Sequence, residues 1–404
     1  MDGAEPDPDA DGGGREASAG VRLTEDLILE ILSHLPAKSL HRFKCVSRQW
    51  LGLISDPNNR RKFAQTLAGF FYIRYRPRKR GADRVPHSLS FSSADPDDGS
   101  PPLINPYSAL SVPPFLRNHL HRVDCVNGLV LLHFWMPSPD EGHRYAVCNP
   151  ATDEWFTVPE SPTRGKASFV RLSVTDNPAA SSPLHFHVFE FRGGIPKGYI
   201  VASEIYSSAS DTWIHRENVW DRGAGEGISL LDETSGVFFR GALHLAPMEP
   251  VIVSVDGDGN KWKISPKPSS PEDDGFLGGP EPGFLGLSQG RLHFLNTQEY
   301  NILKLCHWEL NDDDVWVMKH CIDLTKLFTG RWQFTVEVKF SVIGVHPDAN
   351  TVYFLHGKNH TLISCTMDRE EGRVIREFGL TTYVPYLPYV PLFSVPLAIR
   401  ALEQ

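Results

Sequence analysis

Four stretches of the chain hold residue types that chemistry requires. Gly286-Leu287-Ser288-Gln289-Gly290 has the spacing of a nucleophile elbow. That motif performs acyl transfer when a sharp strand-to-helix turn presents the serine hydroxyl to a histidine backed by an acid. Asp256-Gly257-Asp258-Gly259-Asn260 opens like a calcium loop, whose alternating oxygen ligands are completed by a glutamate at the twelfth position. Gly223-Ala224-Gly225-Glu226-Gly227 has glycines spaced as in a phosphate cradle. His185 and His187 point to one side if they share a strand, which could begin a metal site.

Each stretch also has a plainer reading, and the context favours it. The serine motif runs into Arg291-Leu-His-Phe-Leu295, a strand pattern and not a helix. Gln289-Gly290 also occupies the same slot of a repeat as Arg240-Gly241 and Asn127-Gly128, so a hairpin turn is expected there. Lys267 stands where a calcium loop needs its glutamate, and Asp-Gly with Gly-Asn suits a tight hairpin that needs positive φ. The Gly223–Gly227 run does not follow a strand and open a helix, so a loop is expected. The two histidines lack a nominated third ligand. No catalytic residue, metal site or cofactor is therefore expected. Arg74 to Arg84 holds six basic residues in eleven. It reads as a localisation signal, a patch for an acidic partner, or a solvated loop.

The elements around these motifs fall into two unlike parts. Over residues 23–63 the pattern is helical. Thr24 is a candidate N-cap, and Glu25 and Asp26 suit the first turn. Leu27, Ile28, Ile31, Leu32 and Leu35 recur at helical spacing, and Pro36 ends that helix or starts the next. Leu40, Phe43, Val46, Trp50, Leu53 and Ile54 continue the stripe, with Phe43 and Val46 as internal candidates. A helical unit of about forty residues buries too little of its own surface to be comfortable alone. Its apolar side chains either pack on one another or on the rest of the chain, or some of them face a partner.

After residue 68 short runs of aromatic and branched residues alternate with turn residues, beginning with Phe70-Phe-Tyr-Ile-Arg-Tyr75. A strand–turn–strand phrase then recurs at 145–159, 203–216, 251–265, 306–320 and 362–377. Its marker slot holds Trp155, Trp213, Trp262, Trp316 and Val374, spaced by 58, 49, 54 and 58 residues. A companion hairpin precedes each copy, at 127–134, 184–191, 239–247, 289–296 and 350–357. Four strands in roughly fifty residues is the period of a kelch-type propeller blade. Five blades are visible, and strands near 70–91 joined by the C-terminal segment would supply a sixth. The tryptophans are read as blade packing.

Composition sets the remaining bounds. The 404 residues, 41% hydrophobic and 22% charged, suit a globular protein with a sizeable core. A net charge of −9 argues against a general nucleic-acid binder. Cys45, Cys125, Cys148, Cys306, Cys321 and Cys365 are dispersed, with no C-x-x-C pair. They are read as reduced thiols, mostly buried, in an intracellular protein. Residues 1–20 are acidic and rich in Gly, Ala, Asp and Pro, and are expected to be disordered. They lack the pattern of a secretory signal. No apolar run is long enough for a membrane helix, and Asn359-His-Thr361 is read as a surface turn rather than a glycosylation site.

The helical stretch resembles an F-box. The pattern is carried by Leu23, Leu27, Ile31-Leu32, Leu35-Pro36, Leu40, Phe43, Cys45-Val46, Arg48 and Trp50, with Thr24 where that family usually has proline. The repeats are similar to the F-box-associated domain of plant F-box proteins, through Cys125-Val-Asn-Gly-Leu-Val-Leu-Leu-His133 and Cys148-Asn-Pro-Ala-Thr-Asp-Glu-Trp-Phe-Thr-Val-Pro159. The resemblance implies a three-helix F-box over 21–63 and a kelch-like β-propeller of about six blades over 68–400. It implies a non-enzymatic substrate-receptor subunit of an SCF-type ubiquitin ligase. The F-box would dock a Skp-family adaptor, and through it a cullin–RING ligase, while the propeller binds an unknown substrate protein. The adaptor contacts it implies are Leu23, Leu27, Ile28, Ile31, Leu32, Leu35, Pro36, Leu40 and Trp50, some of which must also hold the helices together. Lys38, Arg42, Lys44 and Arg48 would suit an acidic adaptor surface. A scaffold that binds the adaptor without delivering substrates is the second class, and a propeller enzyme the third. The expected location is cytoplasm, nucleus or both, with no role for nucleic acid or membrane.

Overall fold

The computed structural model describes residues 23–35, 37–56, 59, 62–63, 67–76, 85–94, 119–136, 142–152, 154–162, 169–175, 184–193, 199–217, 227–231, 234–269, 283–300, 302–327, 340–357, 359–379 and 382–392. The acidic segment 1–20 lies outside them, as do Pro36, residues 77–84 of the basic run and Gly223–Glu226.

Three helices come first: α1 (Glu25–Ser33), α2 (Ala37–Phe43) and α3 (Arg48–Ser55). Strands β1 (Gly69–Arg76) and β2 (Val85–Ser93) follow. Five antiparallel four-stranded meanders then succeed one another. The first holds β3 (Leu120–Val126), β4 (Leu129–Met136), β5 (Gly142–Asn149) and β6 (Glu154–Val158). The second holds β7 (Phe169–Thr175), β8 (His185–Gly193), β9 (Ile200–Ser207) and β10 (Thr212–Glu217). The third holds β11 (Ser235–Phe239), β12 (Ala242–Ala246), β13 (Val251–Asp256) and β14 (Trp262–Pro266). The fourth holds β15 (Phe284–Ser288), β16 (Arg291–Tyr300), β17 (Ile302–Leu310) and β18 (Trp316–Asp323), with a short helix α4 (Leu324–Leu327) after it. The fifth holds β19 (Phe340–Val345), β20 (Thr351–His356), β21 (Thr361–Thr366) and β22 (Glu371–Glu377).

The last strand, β23 (Thr382–Tyr389), pairs with β1 and completes a sixth sheet in the order β2-β1-β23. The innermost strands β3, β7, β11, β15, β19 and β23 contact one another in a closed cycle, β23 meeting β3 again. The protein is thus a six-bladed β-propeller behind a small helical unit, with its sixth blade shared by the two ends of the β region.

The repeat observed in the sequence is the blade. Trp155, Trp213, Trp262 and Trp316 lie on the fourth strands, opposite Cys148, Tyr206, Val255 and Leu310. Each is partly buried against an apolar cluster of the blade seams. Val374 takes the slot in the fifth blade opposite Ile363 but is exposed. The first hairpins of three blades turn through Asn127-Gly128, Arg240-Gly241 and Gln289-Gly290. All six residues have φ between 49° and 82°, the two positive φ values that a type I′ turn demands. Gly128 also cannot accept a side chain, because a Cβ there would lie 2.7 Å from both the Leu392 nitrogen and the Val390 oxygen.

That close approach belongs to the ring's closure. Asn149, wholly buried at the end of β5, donates from Nδ2 to the Leu392 carbonyl at 2.9 Å. Its Oδ1 accepts the Ala151 N–H at 3.0 Å. One amide therefore shapes the β5–β6 turn and fastens the chain just beyond β23.

The cysteine reading needs one correction. Cys306 and Cys321 face each other across β17 and β18 and form a disulfide, while Cys45, Cys125, Cys148 and Cys365 are free. Their 15-residue separation carries no C-x-x-C signature; the pairing follows from hairpin register. On the opposite face of the same strands sits a histidine ladder. His293 Nδ1 lies 2.7 Å from His307 Nε2, and His293 Nε2 lies 3.0 Å from the Ser288 carbonyl oxygen. The carbonyl can only accept, so His293 donates from Nε2 and accepts the His307 proton at Nδ1. His307 also stacks on His320. Burial, reinforced by its histidine neighbours, pushes His307 down to about 3, and burial lowers His293 as well.

Two outcomes are expected. Asn149→Ala leaves the Leu392 carbonyl and the turn without their partner and lowers unfolding stability by about 2 kcal/mol, read from denaturant midpoints. The second concerns acid. The folded-state pKa of His307 lies below its unfolded value of 6.5. Its contribution is therefore fully present above that value and is lost as pH falls from about 6.5 toward 3, because the unfolded chain takes up the proton first. Unfolding stability at pH 5 falls by on the order of 1–2 kcal/mol relative to pH 7 through this residue. His307→Gln shows a smaller loss over the same interval.

Candidate functional site

The helical unit is built around one apolar cluster. Thr24 caps α1, its Oγ1 accepting the Leu27 N–H at 3.4 Å, and Glu25 and Asp26 lie near the positive end of the helix dipole. Ser47 caps α3 by accepting the Trp50 N–H at 3.1 Å. Ile28, Leu29 and Leu32 of α1 then pack with Leu40 of α2, Ile54 of α3 and Phe63, flanked by Leu35, Phe43, Trp50 and Leu53. Phe43 and Trp50 meet edge to face with centroids 5.4 Å apart, a favourable ring geometry. Gln49 of α3 reaches Glu25 of α1 at 3.4 Å.

What remains outside this core is unusual. Leu23, Leu27 and Ile31, spaced by four, are 45%, 52% and 45% exposed. Leu27 and Ile31, four apart, share the side of α1 away from the cluster, and Leu23 stands just before the Thr24 cap. Val46 and Leu51 add exposures of 58% and 46%. Single exposed leucines are ordinary, but five large aliphatics exposed within about thirty residues of chain are more than scattered exposure accounts for.

The structure thus divides the nine residues assigned to docking. Leu23, Leu27 and Ile31 are available to a partner. Ile28, Leu32 and Leu40 are buried inside the unit's own core, and Leu35 and Trp50 are half-buried against it. Pro36 lies outside the described residues. Val46, a candidate for the interior, is instead the most exposed large aliphatic of the unit, and Leu51 is an exposed position that helical spacing alone did not single out. Arg42 and Arg48 are exposed as a basic fringe, and Lys44 is partly desolvated, which lowers its pKa. The Lys38 side chain lies outside the described residues.

The chemical motifs of the β region resolve into turns. Ser288 ends β15, and its hydroxyl donates to the His346 carbonyl at 2.7 Å. The His293 ring addresses the Ser288 carbonyl and not the hydroxyl. Asp256 Oδ1 accepts the Asn260 N–H at 2.7 Å, and Gly259 has φ +71°, so the Asp-Gly run closes the β13–β14 hairpin. Lys267 donates to the Pro247 carbonyl at 2.6 Å. His185 and His187 share β8, and His187 lies against the Gly257 turn of the next blade. Among the described residues no group of three His, Cys, Asp or Glu side chains is placed to hold a metal. Gly227 packs on the Tyr199 ring, and Arg74, at the start of the basic run, reaches the Tyr72 hydroxyl at 3.3 Å.

Two further features had no sequence signal. Glu190 and Glu204 are both fully buried and directly opposed on β8 and β9. Glu190 pairs with Arg192 and Glu204 with His215 at 2.8 Å, and burial raises the Glu190 carboxyl to about 7. The innermost strands also enclose a central cavity of about 370 Å³ to which all six blades contribute.

Comparison with known proteins agrees with this architecture. Residues 21–62 match the F-box domain family, and residues 106–381 match the family described as F-box protein At3g26010-like, beta-propeller. The chain is similar to the F-box protein At5g07610 of Arabidopsis thaliana, at 26% identity over 367 residues, covering 84% of this chain and 82% of that one. It is also similar to the putative F-box proteins At3g52320 and At1g32420 of the same plant. The first is 30% identical over 139 residues, covering 34% of this chain and 33% of the relative. The second is 31% identical over 153 residues, covering 36% and 44%.

The division of the helical unit predicts unequal effects of one chemical change. Ile28→Ala opens a cavity in the cluster and destabilises the unit by about 2–4 kcal/mol. Ile31→Ala changes it by no more than about 0.5 kcal/mol. Hydrogen exchange of α1 to α3 in the full chain distinguishes the two.

Proposed function

The chain belongs to the plant F-box proteins with a β-propeller, and from that premise we propose that it is the substrate-receptor subunit of an SCF-type (Skp–cullin–F-box) ubiquitin ligase. The F-box docks a Skp-family adaptor, and through it the cullin–RING ligase. The propeller holds a protein to be ubiquitinated. Catalysis on this reading is proximity alone: the receptor raises the local concentration of its cargo beside the ubiquitin-charged enzyme and contributes no nucleophile. The reading keeps the nine contacts implied by resemblance, Leu35, Pro36 and Trp50 among them, and gives six of them distinct roles. Leu23, Leu27 and Ile31 touch the adaptor, while Ile28, Leu32 and Leu40 hold the shape that presents them.

The observation that carries the proposal is the exposure of Leu23, Leu27 and Ile31 outside a complete core. A helix whose inner face is already packed gains nothing within the unit from Leu27 and Ile31 on its outer face, nor from an exposed Leu23 just before its cap. Each is already about half buried, so covering the remainder on a partner contributes roughly 1 kcal/mol apiece, an apolar anchor to which the surrounding contacts must add before association costs are met. The exposed Arg42 and Arg48 favour an acidic partner surface and a salt-dependent encounter rate. The cytoplasm or nucleus, where such ligases act, is the corresponding location, and neither nucleic acid nor membrane enters this reading.

The test is adaptor binding by the full chain. Leu27→Asp combined with Ile31→Asp places two carboxylates in the interface and weakens binding to a Skp-family adaptor at least about a hundredfold. The propeller's thermal transition stays where it was. Unchanged adaptor affinity in a folded double variant refutes the assignment.

A further inference from the structure

We propose that the seam between the first two blades is a proton-operated latch: the opposed carboxyls of Glu190 and Glu204 hold one proton between them, and the seam loosens when that proton leaves. Val170, Glu190, Glu204 and His215 are successive register partners across β7 to β10, so they form one row across the second blade. The row lies on the face toward the first blade. Val188, Tyr206 and Trp213, each two positions along the same strands, pack in one cluster with Tyr145 and Val147 of β5. Both carboxyls are fully buried.

The groups that meet this row come from both blades. On the second, Arg192 pairs with Glu190 and reaches Ser161 Oγ, just after β6, at 3.5 Å. His215, half exposed, lies 2.8 Å from Glu204 and is positive only when protonated. β7 places the apolar Val170 opposite Glu190. On the first blade Tyr145 faces Glu190, with Arg122 acting on Tyr145 and His133 stacked on its ring. Arg144 and Glu160 pair with each other at 3.0 Å, both exposed. Arg192 is the cation that acts on Glu190, and two like charges buried beside one counter-charge cannot both persist. A proton held between them removes one charge, and it belongs to the pair rather than to either residue. Burial is the larger cause that raises Glu190 to about 7, with Arg192 opposing and Glu204 adding to it, so the proton leaves in the neutral range. The opposed carboxylates then repel across β8 and β9 and draw water into the seam. Trp213 reports on that seam: its Nε1 donates to the Pro159 carbonyl at 2.9 Å, and its ring centroid lies 6.0 Å from that of Tyr145.

The test titrates the full chain. The folded-state value of Glu190 lies above its unfolded 4.5, so its contribution to stability is fully present below 4.5 and is lost as pH rises toward about 7. Relative to Glu190→Gln, the parent's folding equilibrium constant therefore falls by roughly tenfold per pH unit between about pH 5 and 7, the limit for one proton. Between about pH 6 and 8 the Trp213 emission, the part lost in Trp213→Phe, shifts to the red. Glu190→Gln abolishes that shift, and Glu204→Gln moves it to lower pH, because Glu190 then has Arg192 without a rival carboxylate. Either Gln variant suffices if the other does not show the parent's melting transition. Trp213 emission that does not move, a shift that both Gln variants leave in place and that thus belongs to His215, or a pH dependence of stability equal in parent and Glu190→Gln overturns the proposal.

Discussion

Closure of the ring is the constraint on which the rest of the molecule depends. A four-stranded meander has two edges and two apolar faces, and none of these blades could hide both faces alone. Five of them with the three-stranded sixth sheet can, because each buries a face on either neighbour, but only if the sixth contacts the first. That contact is made by β23 pairing with β1 and by the buried Asn149 amide holding the Leu392 carbonyl. Gly128, lacking a side chain, lets the same segment approach closely. The two ends of the β region are therefore bound together, and the inner strands lie side by side around a cavity.

The helical unit meets the opposite constraint. It has too few residues to bury every apolar side chain it holds. It resolves this by packing one face of α1 with α2 and α3 and leaving the other face apolar. The same helix thus serves as scaffold and as surface, and burial separates these roles where sequence periodicity could not. An apolar pattern at i, i+3 and i+4 reports that a helix has something to bury; it does not report whether the covering surface is intramolecular.

Much of the fold was legible before any coordinates. The recurring tryptophan slots marked the fourth strands, and the Gly-containing pairs at 127–128, 240–241 and 289–290 marked the first hairpins, because positive φ at two successive residues restricts residue choice strongly. The sharing of the sixth blade was also legible, from an unpartnered run near residue 70. Other features were hidden because they depend on register and not on composition. The Cys306–Cys321 pair, the His293–His307 bond and the opposed Glu190 and Glu204 each join residues whose adjacency is set by which strand position faces which. Val46 misled for a related reason: it keeps the helical beat but lies in the link between α2 and α3, where that beat no longer applies.

The central claim is that the helical handle and the ring act together, the one holding a ligase and the other its cargo. The most direct measurement is the half-life of proteins that co-purify with the full chain, compared between cells carrying the parent chain and cells carrying a folded variant that has lost adaptor binding. The account predicts at least one protein retained by both forms whose half-life lengthens only in cells with the variant, and whose ubiquitinated species diminish there. If every retained protein turns over at the same rate in both cells, the chain does not deliver cargo to a ligase and the account is wrong.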